Sequence, residues 1–171
     1  YLYNMMNTFD VSIIHFVPSM LDAFLLNLRS LGYRLPVCLR FLLSGGEQLK
    51  LSLANKCYAA SNNTDFKLYN MYGPTETTVD ACVSLCVPGK KPTIGRPINN
   101  VSTYILDNDL NLVPAGVIGE LYVGGLGVAR GYMNNEEATN QSFLNHQRTL
   151  GVDNCINTLY KTGDETAKIR S

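Results

Sequence analysis

Three short segments carry residue types that can handle a phosphorylated ligand: SGGE (44–47), YGPTE (72–76) and TGD (162–164). Glycines let a backbone come close to a ligand, and their exposed N–H groups can face phosphate. Tyr72 offers a ring that can stack on a purine. Thr75 offers a hydroxyl to a phosphoryl oxygen, and Glu76 offers magnesium a hard oxygen ligand. Asp164, set after a glycine, suits two ribose hydroxyls as a bidentate acceptor. Each segment also has a plainer explanation. Taken alone, SGGE is first a strand-to-helix turn and TGD a simple β-turn. The run GGLGVARG (124–131) lacks G-x-G-x-x-G in a strand-to-helix setting and is better explained as a glycine-shaped loop between strands. His15 lies in an apolar strand, where a satisfied core histidine is the ordinary expectation.

The elements that must position these segments follow from hydrophobic period. Residues 11–17 are mostly apolar and rich in β-branched types, which predicts a buried strand. Ser19 with Asp22 three residues on has the form of a capping box, and Leu21, Phe24, Leu25 and Leu28 follow at helical spacing. A strand over 39–43, a helix over 47–60 and a strand over 66–69 come next, so the order is that of an α/β layer with a parallel sheet. NMYGPTETT (70–78) follows the third strand at once, where open α/β sheets place their ligands. Residues 78–87 alternate as in a half-buried strand, with Val79, Ala81, Val83, Leu85 and Val87 on one face, expected to be buried, and Asp80, Cys82, Ser84 and Cys86 on the other. Beyond lie a hairpin over 101–106 and 112–113, and a strand over 119–124. A short helix over 136–143 sits behind Asn134-Asn135, and two strands, 159–162 and 166–169, flank Gly163-Asp164.

Bulk composition removes several function classes. The 171 residues are 46% hydrophobic, enough for a real core, and Lys plus Arg equals Asp plus Glu at 14 each. No basic block tracks a polyanion, which argues against nucleic acid as partner. The longest apolar region (11–26) is broken by His15, Pro18 and Asp22 and is not a membrane span. No leader pattern opens the chain, so a cytoplasmic location is expected. Five scattered cysteines suit reduced, buried thiols better than a zinc site. The chain opens on Tyr1, not methionine, and closes on KIRS straight after an expected strand. That pattern predicts a piece of a longer polypeptide.

In order, the chain carries LLSGGEQL, NMYGPTETT, TIGRPINNVSTYILD, GELYVGGLGVARGY and LYKTGD. Their order and spacing resemble the core motifs of adenylate-forming enzymes, most closely the adenylation domains of non-ribosomal peptide synthetases. The resemblance covers essentially the whole chain. It implies an α/β fold: part of a parallel-sheet α/β subdomain over 1–97, then a β-rich, distorted-barrel subdomain over 98–171. It implies condensation of an amino acid with ATP to an aminoacyl adenylate and pyrophosphate, with Mg2+. The acyl group would then pass to the phosphopantetheine thiol of a carrier domain, in a synthetase that also holds condensation domains.

Residue by residue, the resemblance places Tyr72, with Gly73 beside it, on adenine and Asn70 on the adenine edge. Gly45 and Gly46 line the nucleotide pocket, Thr75 meets phosphate, Glu76 holds magnesium and Asp164 binds the ribose. It places His15, Leu43, Gly45, Met71, Val79 and Asp80 around the amino acid. A histidine and a carboxylate there suit a short polar side chain, serine first and threonine second. The family's phosphate loop and catalytic lysine fall outside this chain, so the isolated piece is expected to have little or no ligase activity. Two alternatives remain: an acyl-CoA synthetase of the same fold, and a non-catalytic nucleotide-binding module of a megaenzyme.

Overall fold

A computed structural model describes residues 1–145 and 158–167. The chain divides into two compact units, one of Tyr1–Gly73 with Cys82–Arg96, the other of Pro74–Ala81 with Pro97–Ser171. Residues 168 and 169, expected to complete the last strand, and Cys155 lie outside the described residues.

The first unit opens with helix α1 (Leu2–Thr8) and then alternates β1 (Ile13–Phe16), α2 (Pro18–Ser30), β2 (Phe41–Ser44), α3 (Leu51–Ala60) and β3 (Lys67–Tyr72). β1, β2 and β3 are parallel, with Ile14, Leu42 and Leu68 in register. Parallel neighbours need crossover connections, and α2 and α3 provide them. Strand β4 (Cys82–Leu85) joins β3 antiparallel, and the two-residue β5 (Arg96–Pro97) closes the order β1-β2-β3-β4-β5. The sheet is therefore mixed, parallel in its first three strands.

Alternation along each strand decides what is buried. Phe16, Leu42 and Leu68 point to the core, where they meet Leu21, Leu25 and Leu28 of α2 and Leu53 and Cys57 of α3. The opposite sheet face carries Ile13, His15, Leu43, Tyr69 and Met71, none of them fully buried. An exposed Lys56–Asp22 pair at 2.7 Å links α3 to α2. Such a pair adds about 0.5 kcal/mol.

Two local expectations change. Ser19 does not cap α2 with Asp22: Pro18 occupies the first turn, where its missing N–H costs nothing. The cap comes from the chain that follows β2 instead. The Ser19 N–H donates to Glu47 Oε2 at 3.0 Å and the Ser19 hydroxyl to Glu47 Oε1 at 2.8 Å. Glu47, expected as the first residue of α3, is thus spent on α2. A carboxylate there also complements the helix dipole. Glu47→Ala should lower unfolding stability by about 1 kcal/mol, measured as a shift of the urea midpoint of the intact domain.

The second change concerns residues 78–87. Ala81 is buried as expected, but Val79, Leu85 and Val87 are exposed while Cys82 and Cys86 are buried, so within β4 the buried face is the one opposite to that expected. Pairing with β3 decides the facing: Ser84 stands opposite Asn70, and the Cys86 N–H donates to the Leu68 carbonyl at 2.8 Å, so Ser84 and Cys86 share the face of Asn70 and Leu68. Burial pushes the Cys82 and Cys86 thiols up to about 11 and Cys57 to about 12. Thiolate is therefore a minor species at neutral pH. The four described cysteines are free.

The second unit is β-rich: a four-stranded antiparallel sheet in the order β6-β7-β9-β8. Its strands are β6 (Val101–Leu106), β7 (Ile118–Gly125), β8 (Phe143–Asn145) and β9 (Thr158–Ala167), with α4 (Glu136–Ser142) before β8. Leu106, Tyr122 and Leu159 form its core. The Asn135 side chain caps α4 by accepting from the Ala138 N–H at 3.0 Å. The expected hairpin shrinks to one bridge between Leu106 and Leu112, because β6 takes β7 as its partner. No helix among the described residues is long and apolar enough to cross a membrane.

Candidate functional site

In the first unit the parallel strands end together. Phe16, Ser44 and Asn70 stand in register across β1, β2 and β3. SGGE and the start of NMYGPTETT are therefore neighbours at the carboxyl edge, where an open α/β sheet takes its ligand. The Gly45 N–H donates to the Phe16 carbonyl at 3.3 Å, and the chain bends next at Gly46 and Glu47.

Gly45 is required by close approach. A Cβ there would lie 2.9 Å from Met71 Cβ, 3.0 Å from the Met71 carbonyl oxygen and 3.5 Å from His15 Nε2. Gly46 has φ of +84°, a conformation that favours glycine. His15 is paired in register with Leu43, on the sheet face that also carries Met71. His15, Leu43, Gly45 and Met71 thus gather around one spot of this unit. His15 is an exposed side chain at a strand end and not a buried core histidine.

Asn70 points the other way. It is nearly buried, and its amide donates to the Thr93 carbonyl at 2.8 Å, tying β3 to the TIGRP segment. Half of its side chain is thus already engaged within the fold. Tyr72 ends β3 half-buried, opposite Cys82, and the half-buried Gly73 follows.

In the second unit Thr75–Thr77 form one 3-10 turn. Thr75 is exposed, whereas Thr77 is buried and donates its hydroxyl to the Pro74 carbonyl at 3.1 Å. Glu76 is half-buried and accepts at Oε1 from the Tyr132 hydroxyl at 2.5 Å. That bond first, with a smaller contribution from the Tyr160 hydroxyl, holds the Glu76 carboxyl below its usual range, so it is ionised at neutral pH. Burial first, and then the Tyr132 hydroxyl and the Glu76 carboxylate, push the Tyr160 hydroxyl upward. Val79 is exposed and Asp80 half-buried, its N–H donating to the Thr78 carbonyl at 2.9 Å.

TGD is not a free β-turn. It lies inside β9, where Glu120 pairs with Glu165 and Tyr122 with Lys161, leaving Thr162, Gly163 and Asp164 opposite Leu121 alone. This is a bulge, with Gly163 at φ +77°. The Thr162 hydroxyl donates to the Leu121 carbonyl at 2.8 Å and accepts the Asp164 N–H at 3.1 Å. Asp164 is exposed on the bulge.

Among the described residues no three His, Cys, Asp or Glu side chains gather as a metal cage. An ionised carboxylate outside such a cage suits magnesium, which is held by one or two carboxylates together with substrate phosphates. Sequence reasoning singled out the segments containing Tyr132 and Tyr160 but gave neither residue a role. Nothing local marks them, since Tyr132 is separated from Glu76 by 56 positions.

The family model described as AMP-binding enzyme matches residues 1–133. The chain is 40% identical over 161 residues to a plipastatin synthase of Bacillus subtilis, covering 90% of this chain and 4% of that protein. It is 40% identical over 171 residues to zwittermicin A synthase ZmaJ of Bacillus cereus, covering 95% of this chain and 30% of that protein. The chain therefore spans under a third of the length of either relative. In fold it resembles the artificially fused adenylation–PCP di-domain NpsA-ThdA from Klebsiella oxytoca. The TM-score is 0.79 at 18% identity, covering 99% of this chain and 30% of that one.

Proposed function

This chain belongs to the AMP-binding enzyme family, as part of an adenylation domain of the non-ribosomal peptide synthetase kind, and from that premise we propose what it activates and how. The intact protein would condense an amino acid with ATP, release pyrophosphate and pass the acyl group to a phosphopantetheine thiol on a carrier domain. The observation that carries the proposal is the register of Ser44 with Asn70, which sets two glycine-bearing segments side by side at the carboxyl edge.

The nucleotide roles are assigned one residue at a time. Tyr72, with Gly73, would stack on adenine, and Asn70 would meet its edge through the amide groups that Thr93 leaves over. Gly45 and Gly46 would let the backbone approach the nucleotide. Thr75 would donate to phosphate and Asp164 would accept from the ribose hydroxyls. Glu76 would hold Mg2+, whose chemistry when bound is Lewis-acid stabilisation of phosphate charge. As attack on the α-phosphate builds charge there, fixed donors stabilise it without having to reorganise.

The amino acid would lie against His15, Leu43, Gly45, Met71, Val79 and Asp80. His15 Nε2, 3.5 Å from the position of a Gly45 Cβ, is an exposed imidazole beside a residue with no side chain. A small hydroxylated side chain, serine first, would lie near Gly45 and use the polar group of His15. Carrier and condensation domains of the same synthetase are the partners this activity requires. One relative in fold is an adenylation–PCP fusion, which supports a carrier partner.

The test is amino-acid-dependent pyrophosphate exchange by the intact synthetase over a panel of amino acids. Serine should give the highest exchange. Exchange with bulky apolar amino acids alone would overturn the substrate assignment. Activity with a fatty acid and coenzyme A instead would point to an acyl-CoA synthetase, and no exchange at all to a non-catalytic module.

A further inference from the structure

The run GGLGVARGY remains without a role in the reaction, yet it is tied to the 3-10 turn of Glu76 at several points. The Ala129 N–H donates to the Glu76 carbonyl at 2.7 Å, and the Thr78 hydroxyl to the Gly127 carbonyl at 2.7 Å. A Cβ on Gly127 would lie 3.1 Å from the Thr77 carbonyl oxygen, so the two backbones are in contact. The run ends at Tyr132, whose hydroxyl donates to Glu76 Oε1. Tyr132 is itself fixed from behind: its N–H donates to the Thr139 hydroxyl at 2.9 Å. Gly131, at φ +139°, lies so close to Thr139 that a Cβ would sit 2.5 Å from its methyl carbon.

A second tyrosine reaches the same carboxylate from β9. Tyr160 is buried, pairs in register with Val123 and Phe143, and its hydroxyl helps to hold the Glu76 carboxyl below its usual range. The two tyrosine rings clasp Phe143, at centroid distances of 5.5 Å for Tyr132 and 5.1 Å for Tyr160. The carboxylate is thus held by the Tyr132 hydroxyl, and Tyr160 packs on the same buried Phe143 ring as Tyr132.

We propose that Tyr132 and Tyr160 are positioning residues for Glu76, fixing the direction of its carboxylate so that a divalent cation meets it already oriented. This rests on the metal role given to Glu76 above. A free glutamate gives up rotamer freedom when it takes a cation, whereas one already held does not. Ligating carboxylates are commonly hydrogen-bonded in turn, and removing such a partner costs about 10-fold or more in metal affinity. The backbone ties place the turn, and the tyrosines aim the side chain.

The experiment uses the full-length synthetase with Tyr132→Phe, Tyr160→Phe and Glu76→Gln. Phenylalanine keeps the contacts with Phe143 and removes only the hydroxyls. Mn2+ binding is read by electron paramagnetic resonance with a non-hydrolysable ATP analogue present, alongside the melting temperature. Each tyrosine variant should weaken Mn2+ binding about 10-fold, with the melting temperature little changed. A lowered melting temperature with unchanged Mn2+ affinity in both variants would make the tyrosines merely structural and overturn the proposal. Two variants are needed because either alone could fail to fold. Glu76→Gln separates the two claims: if it weakens Mn2+ binding and the tyrosine variants do not, only the positioning role fails. If it has no effect either, the metal role of Glu76 falls with it.

Discussion

Glu76→Ala in the intact synthetase is expected to lower amino-acid-dependent pyrophosphate exchange by about 100-fold or more, the scale of losing one preorganised charge-stabilising group. The residue sits on a short turn whose backbone and side chain are both tied down, the first to Ala129 and the second to Tyr132. Its carboxyl is held below the ordinary range, so the variant removes a full negative charge at neutral pH. Raising Mg2+ should recover part of the loss, because the remaining phosphate oxygens still bind the ion. Exchange at the unaltered rate, with unaltered Mg2+ dependence, would refute the metal role. The comparison with Glu47 is informative, since both glutamates close a glycine-bearing segment at a strand end. Glu47 is committed to Ser19 at the start of α2, so its loss is one of stability.

The largest stability loss is expected at Gly95, in the TIGRP segment. Its φ is +82°, and an added Cβ would lie 2.0 Å from the Val83 carbonyl oxygen and 2.7 Å from Ser84 Cβ. The first obstacle is a backbone atom of β4, which moves only if the strand moves. Gly95→Ala therefore combines left-handed strain with displacement of β4, about 3 kcal/mol together. Gly89 is the control: its φ is +77° but nothing lies within 4 Å of its Cβ position. Gly89→Ala should cost only the strain, about 1 kcal/mol. Urea unfolding of the intact domain measures both. Equal losses at the two positions would mean that the close approach to Val83 carries no weight.

Much of the first unit was legible in the sequence. Short β-branched runs and a 3.6-residue apolar period placed β1, α2, β2, α3 and β3 to within a few residues, because those patterns record burial directly. Helix α4 behind Asn134-Asn135 was legible for a different reason: the Asn135 cap is a local hydrogen bond. The β4 strand was legible within 78–87, but its buried face was not, because that face is set by pairing with Asn70 and Leu68 of β3. Alternation within a strand names two faces and does not say which one the partner strand turns to the core.

The candidate site divides along the same line. The five ordered segments, read together, were enough to indicate the family, since their residue types and order survive in any linear reading. They also named Tyr72, Thr75, Glu76 and Asp164 one by one. Tertiary structure alone decided that Glu47 caps α2, that TGD is a bulge inside β9 rather than a turn, and that His15 and Met71 flank Gly45. It alone brought Tyr132 and Tyr160 onto Glu76. Local patterns encode what a residue does to its immediate neighbours. Which distant side chain receives a hydrogen bond is set by packing, and no spacing along the chain records it.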